Sequence, residues 1–334
     1  MDFDQILTDL RNKNYKPVYF LMGEETYFID EITEYIAKNV LNESEKVFNQ
    51  AILYGKDIDA IAIIDASRRF PMMASHQVVI VKEAQNIRNI EELVHYVEKP
   101  LKSTILVINY KYKTLDKRKK LYTAIGKNGG VLLSADKLYE DKIPGWISKY
   151  LANKGFSIAP EASALIAEFL GNDLSKITNE LGKLLLTMPA NAKRVTTDLV
   201  EKNIGISKEF NNFELQKALV ARDVLKSNRI INYFEKNPKD NPIILTISSL
   251  FSFFNKVLIY HFLTDKSKGT VASALKINPY FVSEYELAAK RYNPAKLVEI
   301  VSILREFDLK SKGVGNSSAT DGDLLKEMIY RIIH

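Results

Sequence analysis

The sequence contains no cysteine, which excludes disulfides, thiolate-bound zinc, iron–sulfur clusters and thiol catalysis. Glycine and proline are scarce, at 14 and 10 in 334 residues. Collagen-like and low-complexity architectures are therefore excluded, and a helix-rich fold is expected. The four histidines, His76, His95, His261 and His334, all lie beyond helical reach of one another, so the paired spacing of a histidine metal site is missing. No G-x-S-x-G nucleophile elbow occurs. The expectation is a chain with no catalytic residues, metal or cofactor of its own. Long apolar runs are also lacking. The greasiest segment, Ile243 to Leu263, has a charge-free part of only 15 residues, Asn241 to Asn255. A membrane span needs about 20, so a buried core helix is expected there. The acidic start, MDFDQ, has no basic stretch ahead of an apolar one; no signal peptide and a cytoplasmic location are expected.

What is present is an ordinary globular balance of 46% hydrophobic and 26% charged residues, long enough for two or three domains. The net charge is +6, and the stretch Lys111 to Lys127, with six lysines and Arg118 against Asp116, carries an excess of the same size. Any anionic partner is thereby localised to that stretch.

Hydrophobic periodicity divides the chain. Up to residue 138 strands and helices alternate. Strands are expected at Pro17–Met22, Val47–Tyr54, Gln77–Val81, Ser103–Asn109 and Gly130–Ser134. Helices are expected after Asp2, around Phe28–Val40, from Asp57, around Ile90–Val97 and over Leu115–Ile125. Near-continuous apolar strands in such an alternation imply a parallel sheet covered on both faces. From residue 139 strand signals stop. Residues 139–209 read as a small helical bundle, with Lys193-Arg194 and Gly205-Ile206-Ser207 as connections. Residues 210–334 read as longer helices, among them Asn212–Phe234, Pro242–Thr264, Pro279–Tyr292, Pro294–Leu309 and Asp321–Ile333.

Four features carry functional information. The first strand runs into Gly23-Glu24-Glu25-Thr26-Tyr27-Phe28 and a helix, where a nucleotide-binding α/β fold places its P-loop. Only Gly23 of G-x-x-x-x-G-K-[ST] is present, and two carboxylates would repel phosphate. Val78-Val79-Ile80-Val81-Lys82-Glu83 has the outline of a Walker B strand, with Lys82 where the magnesium-holding Asp would stand. The residues allow either a nucleotide site lost on both halves or a sheet that never held one. In the basic stretch, Lys111, Lys113, Lys117, Arg118, Lys119 and Lys120 lead into a helix, either as a phosphate contact or as a solvated face. Cations crowding a helix N-terminus oppose its macrodipole, which favours the contact. Finally, Phe70-Pro71-Met72-Met73-Ala74-Ser75-His76 joins a helix to a strand. It is either an exposed apolar tip suited to a partner's groove or a pair of core methionines at a helix end.

Taken in order, these segments resemble the delta subunit of the bacterial DNA polymerase III clamp loader. Pro17 to Glu25 is similar to the family's opening strand and degenerate P-loop, and Pro71 to Gln77 to its clamp-binding segment. Gly171-Asn172-Asp173-Leu174 with Asn179 to Leu184 is similar to its lid helices, and Phe213 to Leu219 with Phe307 to Gly313 to its collar. The resemblance implies an AAA+-like α/β domain over residues 1–138, a helical lid over 139–209 and a helical collar over 210–334. It implies a catalytically silent subunit that binds the sliding beta clamp and holds it open. The sister ATPase (gamma/tau) and delta-prime subunits would bind ATP, and primed DNA would be handled within the complex. Location would be the nucleoid-associated replisome, with no membrane partner. Phe70, Pro71, Met72, Met73, Ala74 and Ser75 would contact the clamp, with Met72 and Met73 at the positions of an aliphatic and an aromatic wedge. The lack of cysteine fits this family better than its sisters, which carry a four-cysteine zinc module and a Ser-Arg-Cys arginine finger. A divergent AAA+ ATPase of replication or repair, and a stand-alone DNA-binding protein, are the alternatives.

Overall fold

A computed structural model describes residues 2–189, 192–204, 207 and 209–334. The expected connection Gly205-Ile206-Ser207 falls largely outside the described residues. Two compact units are present. One runs to Leu138 and takes in Asn172–Ser175; the other is made of Tyr139–Gly171 and Lys176–His334.

The first unit opens with α1 (Phe3–Arg11), whose N-cap Asp2 accepts from the Gln5 N–H. β1 (Val18–Gly23) and α2 (Thr26–Asn39) follow. α3 (Glu43–Asn49) runs without a loop into β2 (Gln50–Tyr54), and α4 (Ala60–Ser67) leads to β3 (Gln77–Lys82). A 3-10 turn at Ile90–Leu93 continues as the short α5 (Val94–Val97). β4 (Thr104–Lys111), α6 (Lys120–Lys127) and β5 (Val131–Ala135) complete the unit.

The five strands form one sheet in the order β2-β3-β4-β1-β5, every pair parallel. Strand side chains alternate between faces. Val18, Phe20 and Met22 pack with α4, α5 and α6, whereas Tyr19 and Leu21 pack with Ile6, Leu10, Ile29, Ile32 and Ile36 of α1 and α2. This is an α/β architecture, a parallel sheet covered on both faces.

Three expectations within this unit need correction. Val47 and Phe48 are not in a strand: a capping box between Asn42 and Glu45 starts a helix that carries them to Asn49. The fourth helix starts one turn later than Asp57, because Asp59 is the residue whose side chain caps it. The sixth starts at Lys120 rather than Leu115. Leu115 is buried, and the Asp116 carboxylate accepts from the Arg118 N–H at 2.9 Å. An aspartate turn of this kind competes with helix for the backbone.

From residue 139 the elements are α7 (Ile143–Asn153), β6 (Ser157–Ile158), α8 (Pro160–Leu170), α9 (Leu174–Thr187, whose first two residues count with the first unit), β7 (Arg194–Val195) and α10 (Thr197–Ile204). Strands are thus not absent after residue 139. β6 and β7 pair in parallel, and Arg194 belongs to this ladder rather than to a plain connection. Two residues per strand are too few for periodicity to register. The C-terminal helices are α11 (Asn212–Ala221), α12 (Val224–Lys236), α13 (Ile243–His261), α14 (Lys268–Leu275), α15 (Val282–Arg291), α16 (Pro294–Ser311) and α17 (Asp321–Ile333). The expected single helix over Asn212–Phe234 is two helices. Arg222 is left-handed at φ 54°, and the Asp223 side chain caps the second helix by accepting from the Lys226 N–H.

α13 is long and apolar enough to cross a membrane by length and composition alone. Its residues Ile247, Leu250, Phe254 and Val257 instead join Leu215, Phe234, Ile300 and Phe307 in one core. Ile244, Leu245, Phe251 and Ile259 on the same helix are exposed.

Candidate functional site: an apolar tip and a filled phosphate position

The segment between α4 and β3 projects its apolar side chains into water. Phe70, Met72 and Met73 are 75%, 63% and 101% exposed, so they are not core methionines at a helix end. Met73 holds a left-handed backbone at φ 53°, a conformation uncommon for a residue with a side chain. Pro71 and Ala74 are half-buried, Ser75 is exposed, and Ala74 packs against the sheet core.

The base of the tip is tied down on several sides. The Gln77 N–H donates to the Ser103 carbonyl at 2.8 Å, and its side-chain amide donates to the Ala66 carbonyl at 3.1 Å. The His76 ring meets Tyr15 edge-on at 5.4 Å, and its Nδ1 is 3.0 Å from the Ser75 hydroxyl. Burial pushes the His76 imidazole below its usual range. Asn49, buried at the end of α3, makes two hydrogen bonds to the Met72 backbone. Sequence reasoning missed Asn49, since an isolated asparagine in an apparent strand carries no signal. Beside it Val47 and Phe48 are 75% and 68% exposed.

At the phosphate position the loop after β1 is closed by its own contacts. Gly23 has φ 126°, and a Cβ there would lie 2.3 Å from the Ala135 carbonyl oxygen. The Gly23 N–H donates to the Lys113 carbonyl at 3.1 Å and the Glu25 N–H to the Ala135 carbonyl at 2.9 Å. Glu25 caps α2 by accepting from the Tyr27 N–H at 3.1 Å. A carboxylate of the protein thus occupies the helix N-terminus where a P-loop holds phosphate. Burial raises the Glu25 carboxyl above its usual range, partly offset by that N–H. Glu24 is exposed. Lys82 ends β3, and Glu83 follows in the left-handed region at φ 54°.

A cavity of about 440 Å³ opens beside the C-terminal ends of β1 and β5, lined by Phe3, Phe28, Lys117, Tyr122 and Asp136 among others. Its lining includes none of Gly23, Glu24, Glu25, Lys82 and Glu83. Among the described residues no three His, Asp or Glu side chains come together as metal ligands.

The basic stretch is largely engaged with the protein itself. Lys111 pairs with Asp30 at 2.6 Å, and Arg118 with Asp116 at 2.7 Å. Lys113 donates to the Gln85 carbonyl at 3.1 Å, and Lys119 reaches Glu91 at 3.9 Å. Among the described residues Lys117 and Lys120 have no such partner. Only Lys119, as N-cap, and Lys120 stand at the helix start, so fewer cations oppose the dipole than the sequence suggested.

This arrangement can be set against known proteins. The model of the family described as DNA polymerase III, delta subunit, matches residues 19–134. The DNA polymerase III subunit delta of Bacillus subtilis is 26% identical over 341 residues, covering 98% of this chain and 95% of that one. The chain is thus similar to DNA polymerase III delta subunits, by the family model over residues 19–134 and by the curated relative along nearly its whole length. The solved structure of the Bacillus subtilis DNA clamp loader delta protein superposes with a TM-score of 0.56 at 24% identity, covering 99% of each chain. That likeness shows the fold along the whole length. The matched segment takes in β1, the loop after it, the Phe70–Ser75 tip and the basic stretch.

Proposed function

We propose that this chain captures the sliding beta clamp through the Phe70–Ser75 tip and holds the ring open for loading onto primed DNA. The observation that carries this reading is the tip itself. Three large apolar side chains stand in water on a segment whose base is fixed. A partner with an apolar pocket would bury them, each contributing roughly 1.5–3 kcal/mol by area. The nucleotide that powers loading is assigned to the sister gamma/tau subunits, with delta-prime completing the complex. In support, the N–H groups of Gly23, Glu25 and Tyr27 are already committed to protein acceptors. The AAA+-like domain is assigned to residues 1–138, a lid to 139–209 and a collar to 210–334. The exposed side chains Ile244, Leu245, Phe251 and Ile259 of α13 favour the collar as the place of subunit contact.

The test is clamp binding by the purified chain, with Met72→Ala, Met73→Ala as control. Because both side chains are already exposed, the double substitution should leave the melting temperature unchanged. It should weaken clamp binding by about 3 kcal/mol, on the order of a hundredfold. Wild-type clamp affinity in the double variant would overturn the proposal. Micromolar binding of an ATP analogue with magnesium would favour a divergent ATPase instead.

A further inference from the structure

Asn49 is 1% exposed, and every hydrogen-bonding atom of its side chain is used. Its Oδ1 accepts from the Met72 N–H at 2.6 Å, and its Nδ2 donates to the Met72 carbonyl at 2.9 Å and the Glu45 carbonyl at 3.0 Å. A primary amide is the smallest side chain that presents an acceptor and a donor side by side. It therefore pairs with both backbone groups of one residue, as a neighbouring strand would. Asn49 can do this because it closes α3 and leads directly into β2, so both its neighbours are held in regular structure. The next residue after the clamped one, Met73, is the left-handed, fully exposed member of the tip. Strained backbone of this kind persists only where its surroundings over-determine it.

We propose that Asn49 is the positioning residue of the clamp-binding tip. By fixing both backbone groups of Met72 it sets the turn that presents Met72 and Met73 to an apolar pocket on the clamp. The inference rests on the reading that this tip docks on the clamp. Asn49 contributes by ordering the segment before binding, which removes an entropic cost of association.

The experiment is a double-mutant cycle on the full chain, with clamp affinity measured per folded molecule below each variant's melting transition. Asn49→Ala should weaken binding on the order of tenfold in the wild-type background and change nothing when Met72 and Met73 are already Ala. Asn49→Asp keeps the shape but turns the donors toward Met72 and Glu45 into acceptors, and should weaken binding at least as much. Where alanine costs folding, Asn49→Ser keeps one acceptor for the Met72 N–H and is used instead. Hydrogen exchange at the Met72 amide supplies a readout independent of the clamp: it should be protected in the wild type and rapid in the variants. If the methionine pair matters but Asn49→Ala binds clamp like wild type, Asn49 has no positioning role. The positioning role is equally excluded if the effect of Asn49→Ala persists undiminished without the methionines. If the methionine pair itself is silent, the docking reading fails, whatever Asn49 does.

Discussion

Glu168 offers a quantitative test of how the helical unit is built. It lies on α8, and its Oε1 accepts from the Ser249 hydroxyl on α13 at 3.3 Å. That hydroxyl accepts in turn from the Gln216 amide on α11 at 3.0 Å. The other carboxylate oxygen is buried with no hydrogen-bond partner among the described residues. Burial raises the carboxyl to about 7 from an ordinary 4.5, although the Asn212 and Ser249 side chains pull it down. Between those two values the folded chain keeps a proton that the unfolded chain has lost. Stability therefore falls as pH rises through the window, by about 3 kcal/mol in total. Glu168→Gln is neutral at every pH and keeps an acceptor for Ser249. At about pH 8 it should melt roughly 5–10 °C above wild type, and near pH 5 the two should nearly coincide. Burial also raises Glu284 and lowers Lys256 in this unit, so the diagnostic quantity is the wild-type-minus-variant difference. Thermal unfolding by circular dichroism at several pH values measures it. A difference that does not change with pH, or a variant less stable at about pH 8, would refute the assignment of a buried, proton-binding carboxyl.

Two further outcomes follow from the first unit. Gly23→Ala should destabilise the chain by more than about 2 kcal/mol, because its Cβ would meet the Ala135 carbonyl oxygen at 2.3 Å; an unchanged melting temperature would show that β1 and β5 are not so tightly apposed. In the assembled loader, Lys117→Ala, Lys120→Ala should reduce the slope of log affinity for primed DNA against log salt by up to about 2, whereas an unchanged slope would mark the basic stretch as a solvated face.

The parallel sheet was legible because its strands are buried on both faces and read as unbroken apolar runs, as in Val78-Val79-Ile80-Val81. Where capping decides an element, hydrophobic spacing misleads. Val47 and Phe48 looked like strand residues, yet the Asn42–Glu45 capping box made them the exposed end of a helix. Asp116 and Asp223 each pre-empted helix with a local hydrogen bond, and so moved one helix start and divided another helix. The tip was legible in a different way. Proline next to consecutive large apolar residues implied a segment that neither helix nor strand could absorb, and the three exposed side chains are those of that segment. Asn49 was not legible, because its role depends on two backbone groups 23 residues away.

Gly23 shows how one residue can answer to two constraints. In the sequence it reads either as the remnant of a phosphate-binding loop or as part of a sheet that never held one. In the fold it is required by the packing of its own sheet, since the Ala135 carbonyl on β5 leaves no room for a side chain. That same carbonyl takes the Glu25 N–H, and the Glu25 carboxylate takes the Tyr27 N–H at the start of α2. Phosphate would have to displace both protein acceptors and approach a buried carboxyl. Restoring the missing lysine alone would therefore not restore nucleotide binding. The loop would also need its N–H groups released from Ala135 and Lys113 and the Glu25 cap removed. Counted from Gly23, the lysine of G-x-x-x-x-G-K falls at Ile29, a fully buried core residue of α2, so no single substitution there can supply it. Calorimetric detection of tight ATP binding by the wild-type chain would show that the loop is less committed than its hydrogen bonds imply.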